Sequence, residues 1–301
     1  MNRFLTCIAI SATLVLSQSC SSFKSKQTAE ANSDPHAGHS MPGIKPTAEE
    51  HNHSHGGHSM HDIKSTETTA VSEAKLAVKN DIQPQRPTLL AINIHDKSGK
   101  AIAKFDNFQE KLMHLIVVSD DLQFFDHIHP TYKQNGRFEV DATFPKPGSY
   151  TLFSDYKPSG QKEQVSALKT QVPGKPNSSV ATADLNRSKT FGDTKVNLTL
   201  SSPTIKAGEE VMLMFDLRDA SKNQPLTDLQ PYLGEKGHLV ILRQTPTLAA
   251  TDYIHAHAMA DSHAGMVHFM TQFPQPGKYK VWGQFNRNGK IVTADFWVNV
   301  V

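Results

Sequence analysis

The amino-acid sequence predicts an all-β protein in which a disordered segment precedes two folded β-sandwich units in tandem. Residues 21–75 contain almost none of the aromatic and β-branched residues that build a core, so this segment is expected to stay disordered. From about Lys75 onward, short alternating apolar and polar runs are separated by turn residues, as is typical of strands. The strand-rich part also consists of two similar halves.

The N-terminus is predicted to be an export signal. Arg3 supplies positive charge, and residues 4–16 form an apolar stretch too short to span a bilayer. Small residues then lead into Cys20, which is typical of the bacterial lipobox, where the cysteine receives a diacylglycerol. Leu16 lies four residues before Cys20, whereas a lipobox prefers leucine three before it. The alternative is an ordinary signal peptide over residues 1–19, cleaved after Ser19.

Cysteine usage limits the metal chemistry that the mature chain can perform. Cys7 lies in the signal and Cys20 is the predicted lipidation site, and the sequence has 2 cysteines. No internal disulfide and no free thiolate ligand are therefore expected. A metal site would have to use histidine, methionine, carboxylate or backbone groups.

The predicted tether, residues 20–75, carries two copies of one histidine- and methionine-containing motif. Its candidate ligands are His36, His39 and Met41 in the first copy, His55, His58, Met60 and His61 in the second, and His51 and His53 just before it. Imidazole is the commonest metal ligand, and thioether sulfur favours Cu(I). We therefore expect the tether to bind copper, with zinc or nickel as alternatives. A polar linker that is histidine-rich by chance is the other interpretation.

The folded part divides into residues 76–173, a linker over residues 174–190, and residues 191–301. Strands are predicted near residues 89–94, 112–118, 138–144, 150–156 and 165–172, and the second half repeats this order. His127-Ile-His129 corresponds to His255-Ala-His257, and Phe-Pro-x-Pro-Gly-x-Tyr occurs in both halves. A duplicated unit of short strands with frequent turns predicts two Ig-like β-sandwich domains.

Each half offers three candidate histidine ligands. His127 and His129 are two residues apart on an extended segment, so their side chains share a face and can chelate one ion. His114 is expected to supply a third ligand from a neighbouring strand. The second half offers its own set, His238, His255 and His257. The alternative is structural, with His114 and His238 buried and hydrogen-bonded to the paired histidines.

One strand of the second half has an unusual outward face. When the halves are aligned on Phe-Pro, its outward residues are Met266, His268 and Met270, where the first half has Arg137, Glu139 and Asp141. Methionines facing water are unexpected. Together with Met259 and His263 in the preceding loop, they could form a soft copper site. The alternative is contact with the other domain.

The segment His114–Pro130, HLIVVSDDLQFFDHIHP, followed by Phe-Pro-x-Pro-Gly-x-Tyr, resembles exported bacterial proteins with YtkA-like, Ig-like or cupredoxin-like domains. Such proteins are often encoded beside heavy-metal efflux genes. The resemblance covers about residues 76–301, although the second half has Ala258 where the first has Pro130. It implies a β-sandwich fold and a role in handling copper or other heavy metals. The tether resembles segments of periplasmic copper-resistance proteins.

These features predict an exported lipoprotein that buffers or delivers copper on the periplasmic side of the cell envelope, anchored to the outer membrane of a Gram-negative bacterium. A metal efflux system or another envelope protein is the expected partner. The alternative is a structural or interaction lipoprotein whose tether is incidentally histidine-rich. A net charge of +2 with no basic stripe does not indicate nucleic-acid binding. No catalytic constellation is recognisable, so we do not expect an enzyme.

Overall fold

The structure is a computed structural model that describes residues 71–78, 81–175, 183–260 and 263–301. This part of the chain is built from antiparallel strands and one short 3-10 turn, Ala250–Asp252. The predicted all-β, Ig-like class is therefore confirmed. No helix in these ranges has the length and apolar character to cross a membrane. The predicted signal, Cys20 and all the predicted tether ligands lie outside the described residues.

The first domain contains eight strands in two sheets. They are β1 (Ser72–Val78), β2 (Pro87–Asp96), β3 (Met113–Ser119), β4 (Phe125–Ile128), β5 (Thr131–Tyr132), β6 (Arg137–Thr143), β7 (Gly148–Tyr156) and β8 (Gln164–Val172). One sheet has the order β1-β2-β6-β5 and the other β4-β3-β7-β8. Leu90, Phe138 and Tyr156 are among the buried side chains between them.

The second domain repeats this plan with nine strands. They are β9 (Ser188–Phe191), β10 (Thr194–Leu200), β11 (Glu210–Asp219), β12 (Leu229–Gln230), β13 (His238–Arg243), β14 (Tyr253–His257), β15 (Met266–Gln272), β16 (Gly277–Arg287) and β17 (Lys290–Val300). One sheet has the order β15-β11-β10-β9, and the other has the order β12-β16-β13-β14 with β17 also paired to β16. Phe215, Phe269 and Phe296 lie in its core.

Two predicted boundaries differ from the structure. β1 begins at Ser72 and pairs with β2, so the fold starts before the predicted end of the tether at residue 75. β9 begins at Ser188, inside the predicted linker, and pairs with β10. Both are edge strands in which every residue except Ser72 is half-buried or exposed, so their sequences carry a weak apolar signal.

The Phe-Pro-x-Pro-Gly-x-Tyr elements form the predicted turns into β7 and β16. Gly148 and Gly277 have φ angles of 141° and 144°, which favour glycine. The Tyr150 hydroxyl donates to the Lys146 carbonyl at 2.8 Å, and the Tyr279 hydroxyl donates to the Gln275 carbonyl at 2.7 Å. The same hydrogen bond, from the tyrosine hydroxyl to the backbone carbonyl four residues earlier, therefore fixes the start of both strands.

The central strands of the β4-β3-β7-β8 sheet, β3 and β7, are buried on both faces. Every residue of Met113–Val118 in β3 is buried. Met113, Leu115 and Val117 belong to the core of the first domain, whereas Ile116 and Val118 pack with Val240, Leu242 and other residues of the second domain. We call this shared apolar layer and the polar groups beside it the domain interface.

Matching aromatic pairs connect the two domains across this interface. The Phe125 and Trp282 rings stack with centroids 4.9 Å apart, and the Phe153 and Tyr253 rings stack at 5.2 Å. Phe125 and Tyr253 occupy equivalent positions in β4 and β14, two residues before the first histidine of each pair. The interface is therefore related by approximate two-fold symmetry, as in an isologous dimer.

Candidate metal centre

The side-chain alternation of β3 and β4 places three histidines of the first domain on the domain interface. His114 shares the outward face of β3 with Ile116 and Val118, and it is fully buried. His127 lies in β4 opposite Ile116, and His129 follows the strand on the same face. All three therefore point away from their own core and toward the second domain.

These three histidines form a compact triad. One ligand nitrogen from each of His114, His127 and His129 lies within 4.8 Å of the others. Their ring centroids are separated by 4.8, 5.0 and 5.2 Å. Three imidazoles around one ion, each with a bond of about 2 Å, would have centroids about 5 Å apart, so the spacing suits a metal.

The second domain contributes an equivalent triad. His238 lies in β13 directly opposite His257 of β14, and His255 is two residues before His257. His238 Nδ1 is 3.3 Å from His255 Nε2, matching the 3.0 Å between His114 Nδ1 and His127 Nε2. The ring centroids of this triad lie 5.4–5.8 Å apart, a slightly wider arrangement.

The two triads meet at the domain interface. The His114 and His255 ring centroids are 5.5 Å apart, and those of His114 and His238 are 6.3 Å apart. The six imidazoles thus form one group, which we call the interface histidine cluster: His114, His127, His129, His238, His255 and His257. The sequence predicted the two sets separately and did not predict that docking brings them together.

Each domain orients a histidine of the other. His127 Nδ1 is 2.7 Å from Gln284 Oε1, and His255 Nδ1 is 3.1 Å from Asp155 Oδ2. The Tyr253 hydroxyl also donates to Asp155 Oδ2, at 3.1 Å. Metal-ligating histidines characteristically donate their second ring N–H to such acceptors, which fixes the ring and its tautomer.

Sequence reasoning missed Asp155 and Gln284. They hold equivalent positions five residues after the tyrosines of the turn motif, in β7 and β16. An aspartate in the strand predicted near residues 150–156 was the available signal, because a charge in a strand that becomes buried needs a partner.

The buried histidines are held in the neutral form. Burial, reinforced by the neighbouring imidazoles, lowers the pKa of His127 to about 3 and that of His238 to about 4. Burial likewise lowers the pKa of His129 to about 4, with Lys111 adding to the shift, and lowers the pKa of His255 well below its usual value. Neutral imidazoles keep the lone pairs that metals bind.

Burial has the opposite effect on Asp155. It raises the pKa of this carboxyl well above its usual value, and the nearby Glu163 adds to the shift. Asp155 Oδ1 is buried and has no hydrogen-bond partner among the described residues. A cation bound by the adjacent histidines would stabilise the ionised form of this buried carboxyl.

The hydrogen-bond acceptors around the first triad determine where its protons lie. His114 Nε2 is 3.2 Å from the Phe108 carbonyl oxygen, which can only accept, so this nitrogen carries hydrogen and Nδ1 holds a lone pair. With the Gln284 amide oriented so that Oε1 faces the ring, His127 Nδ1 donates to it and His127 Nε2 also holds a lone pair. The two lone pairs face each other at 3.0 Å. Two imidazole nitrogens arranged in this way can both bind one cation.

His129 adds a third donor to this site. Its Nε2 atom is buried and has no hydrogen-bond partner in the described ranges. Leaving such an atom unpaired costs about 1–3 kcal/mol, a cost that a bound ion would remove. The residues present therefore fit a three-histidine metal site.

The remaining predicted ligands lie on a different sheet. Met266, His268 and Met270 alternate with the buried Val267, Phe269 and Thr271 in β15, as the sequence predicted. Contact with the other domain was the alternative explanation for this face. In the part of the chain that the structure describes, the apolar domain contact is made by the other sheet instead.

Comparison with known proteins identifies a family but no function. A family model described as "Domain of unknown function (DUF8832)" matches residues 68–173 and 189–301. Its description mentions no metal, so the resemblance to YtkA-like proteins stays a prediction. No curated protein matches the chain.

Several solved structures match the chain at low identity and with low TM-scores. The bacterial integrin-binding protein invasin is 13% identical over 74% of this chain and 39% of its own, with a TM-score of 0.22. Trypsin-activated α2-macroglobulin from Escherichia coli is 13% identical over 76% of this chain and 15% of its own, with a TM-score of 0.25. A two-domain fibronectin type III segment of chicken tenascin is 10% identical over 76% of this chain and 98% of its own, with a TM-score of 0.23. This chain spans less than two thirds of the first two, and none of these likenesses carries a functional argument.

Proposed function

The chain belongs to the DUF8832 family, and we propose that it is a metal-binding lipoprotein that buffers or delivers copper in the cell envelope. The folded part binds its metal in the interface histidine cluster, and the tether supplies further ligands. Lipid anchoring at Cys20, an outer-membrane position and exchange with a metal efflux system complete the proposal. It includes no catalytic step.

The close approach of two imidazole nitrogens in the first triad is the observation that carries this proposal. Two neutral imidazole nitrogens, His114 Nδ1 and His127 Nε2, lie 3.0 Å apart, and acceptors occupy the opposite edges of both rings. Without a cation, the partially negative nitrogens of the two imidazole rings face each other in a buried site of low dielectric constant, which is unfavourable. With a cation, the same positions become two ligands.

The ligand types favour copper. Imidazole suits copper, zinc and nickel alike, and Cu(II) binds most tightly among the divalent ions. The two His-Ser-Met sequences in the tether add thioethers, which favour Cu(I) over zinc and nickel. One chain would then hold both oxidation states in environments made of histidine and methionine.

A structural role for the cluster is the competing explanation, and Gln284 supports it. If the Gln284 amide is turned by 180°, its NH2 group donates to His127 Nδ1, and His127 Nε2 carries hydrogen instead. That hydrogen then bonds to His114 Nδ1, and the first triad is satisfied without metal. The cluster would in that case serve only to connect the two domains.

The test uses the full chain with the seven tether histidines, Met41 and Met60 changed to serine, which we call the tether-silent chain. Cu(I), Cu(II) and Zn(II) bound after dialysis are measured by elemental analysis. The double substitution His114→Leu and His127→Leu should remove one bound ion, because the first triad would then keep only His129. Leucine keeps the site filled and apolar, which limits the effect on folding.

His95→Leu is the matched control, because this histidine lies in β2 on the other sheet of the first domain. The control should keep the full metal content. A tether-silent chain that binds no metal, or that binds equally well after the double substitution, contradicts the proposed site. The structural explanation would then be the one that remains, and the double substitution would change only the melting temperature.

A further inference from the structure

The outer face of the β11–β15 strand pair concentrates methionine. The register places Met212 opposite Met270 and Met214 opposite His268, and Met266 completes the face opposite Asp216. Directly opposed residues on one face of an antiparallel pair have Cβ atoms about 4.5–5.5 Å apart. We call Met212, Met214, Met266, His268 and Met270 the thioether face.

The equivalent face of the first domain shows what such a surface usually contains. There, β2 and β6 pair Leu89 with Asp141, Ala91 with Glu139 and Asn93 with Arg137. Arg137 and Glu139 form an ion pair at 2.7 Å. The second domain therefore presents four thioethers and an imidazole where its partner presents mainly charged and small residues.

The thioether face also contains a polar atom that lacks a hydrogen bond. His268 Nε2 is buried and unpartnered among the residues that the structure describes, although the His268 side chain as a whole is only half-buried. The four methionines on the same face are half-buried as well, so this face is partly open to solvent. An apolar face with no ligand would leave that nitrogen uncompensated.

From this placement we infer that the thioether face is a second metal site, selective for a soft monovalent ion, Cu(I) or its analogue Ag(I). Thioethers bind these ions and bind Zn(II) poorly, and one imidazole adds affinity without changing that preference. The site lies on the opposite sheet of the second domain from the interface histidine cluster. Its partial exposure permits ion exchange, whereas the interface histidine cluster is buried between domains.

Met259 extends the site. Its backbone N–H donates to the His268 carbonyl at 2.8 Å, and its side chain is 37% exposed at the edge of the face. A thioether in that position can receive an ion first and pass it to the four methionines by ligand exchange. The inference does not depend on the proposed function of the interface histidine cluster, because no residue is shared.

The test measures Ag(I) and Cu(I) binding by the tether-silent chain under anaerobic conditions, with X-ray absorption to detect sulfur ligands. Replacing Met212, Met214, Met266 and Met270 with leucine should remove one bound monovalent ion together with its sulfur signal. Zn(II) content should be unchanged. Met113→Leu, in the core of the first domain, is the control and should leave all three readouts as they were.

A second measurement needs no substitution and so does not depend on folding of the variant. Peroxide oxidises exposed methionines to sulfoxides, and bound Ag(I) should slow oxidation of the four methionines at least tenfold in the unaltered chain, as read by peptide mass spectrometry. Zn(II) should give no protection. Unchanged oxidation rates with Ag(I), or a leucine variant that keeps its sulfur-bound ion, would overturn the inference. If the leucine variant lost only bound Zn(II) and kept its sulfur-bound ion, the substitutions would have affected the interface histidine cluster, and the inference would be overturned.

Discussion

The two histidine triads occupy equivalent positions in the two domains but are supported by different groups. An amide, Gln284, lies behind His127, whereas a carboxylate, Asp155, lies behind His255. An amide can accept or donate, so the first triad has two self-consistent proton arrangements. A carboxylate can only accept once it is ionised, as a bound cation favours, and it then holds the His255 Nε2 lone pair toward His238.

This difference indicates how duplication has produced two unlike sites from one plan. A carboxylate that accepts from a ligating histidine makes the ring a stronger ligand. It also places a buried negative charge near the ion, which favours divalent over monovalent metals. We therefore expect the second triad to bind Cu(II) or Zn(II) more tightly than the first.

Acid should produce the largest effect, because it acts on both triads together. The folded-state pKa of His127 is about 3 and the unfolded value is about 6.5. As pH falls below 6.5, His127 binds a proton in the unfolded chain but stays neutral in the folded chain. The free energy of unfolding therefore decreases until pH reaches the folded pKa. For His127 alone, about 2 kcal/mol is lost between pH 7 and pH 5.

The other buried histidines shift in the same direction, so the total loss should be several times larger. Chemical denaturation of the metal-free, tether-silent chain at the two pH values measures it. The variant with leucine at positions 114 and 127 should lose less stability. Equal stability of the parent chain at pH 7 and pH 5 would show that the histidines are not buried in the neutral form.

Asp155→Asn should weaken the second triad while leaving the first intact. We expect the affinity for Cu(II) or Zn(II) to fall by about 10- to 100-fold at one of two sites, as for other partners of metal-bound histidines. The metal-free chain should become more stable at pH 7, because a buried carboxylate with a raised pKa opposes folding at that pH. Competition titration and thermal melting measure the two effects.

These opposite signs separate the metal role from a structural one. If Asp155 served only to hold the domains together, the asparagine variant would melt at a lower temperature and its metal content would not change. Glu163→Gln is the control, since Glu163 acts on Asp155 through its charge. Glu163→Gln should change the affinity for Cu(II) or Zn(II) by much less than Asp155→Asn does.

Gln284→Glu should make the first triad resemble the second. A carboxylate at this position removes the alternative proton arrangement and should raise the metal affinity of the first triad by about tenfold, the lower end of the range for such partners. The metal-free chain should lose stability, because the new charge is buried beside a neutral imidazole N–H and has no cation to pair with. Isothermal titration should resolve two sites of similar affinity, and a first site that is unchanged or weaker would contradict the role given to Gln284.

Much of the fold could be predicted from the sequence because it depends on local patterns. Alternating strands, the Phe-Pro-x-Pro-Gly-x-Tyr turns and the repeat sufficed to predict two sandwiches. The cluster could be predicted only in parts, since the spacing of His127 and His129 is local but the docking of the two domains is not. The continuous apolar run Leu115–Val118 was the available signal, because a strand covered on both faces does not alternate between apolar and polar residues.

The thioether face illustrates the same limit. Met266, His268 and Met270 were found because they alternate within one strand. Met212 and Met214 were missed, because only the register of β11 against β15 places them opposite that strand. Cross-strand neighbours depend on pairing, which a single sequence does not specify.

That dependence on register leads to the last and smallest prediction, which transfers the thioether face to the first domain. Changing only β6, with Arg137→Met, Glu139→His and Asp141→Met, should add no Ag(I) site, because Leu89 and Ala91 opposite carry no sulfur. Adding Leu89→Met and Ala91→Met should create one weak site, since these positions pair with residues 141 and 139 as Met212 and Met214 pair with Met270 and His268. Ag(I) stoichiometry of the two variants measures the difference. An ion gained with β6 alone would mean that one strand suffices, and none gained with both strands would mean that the face needs Met259 or another feature of the second domain.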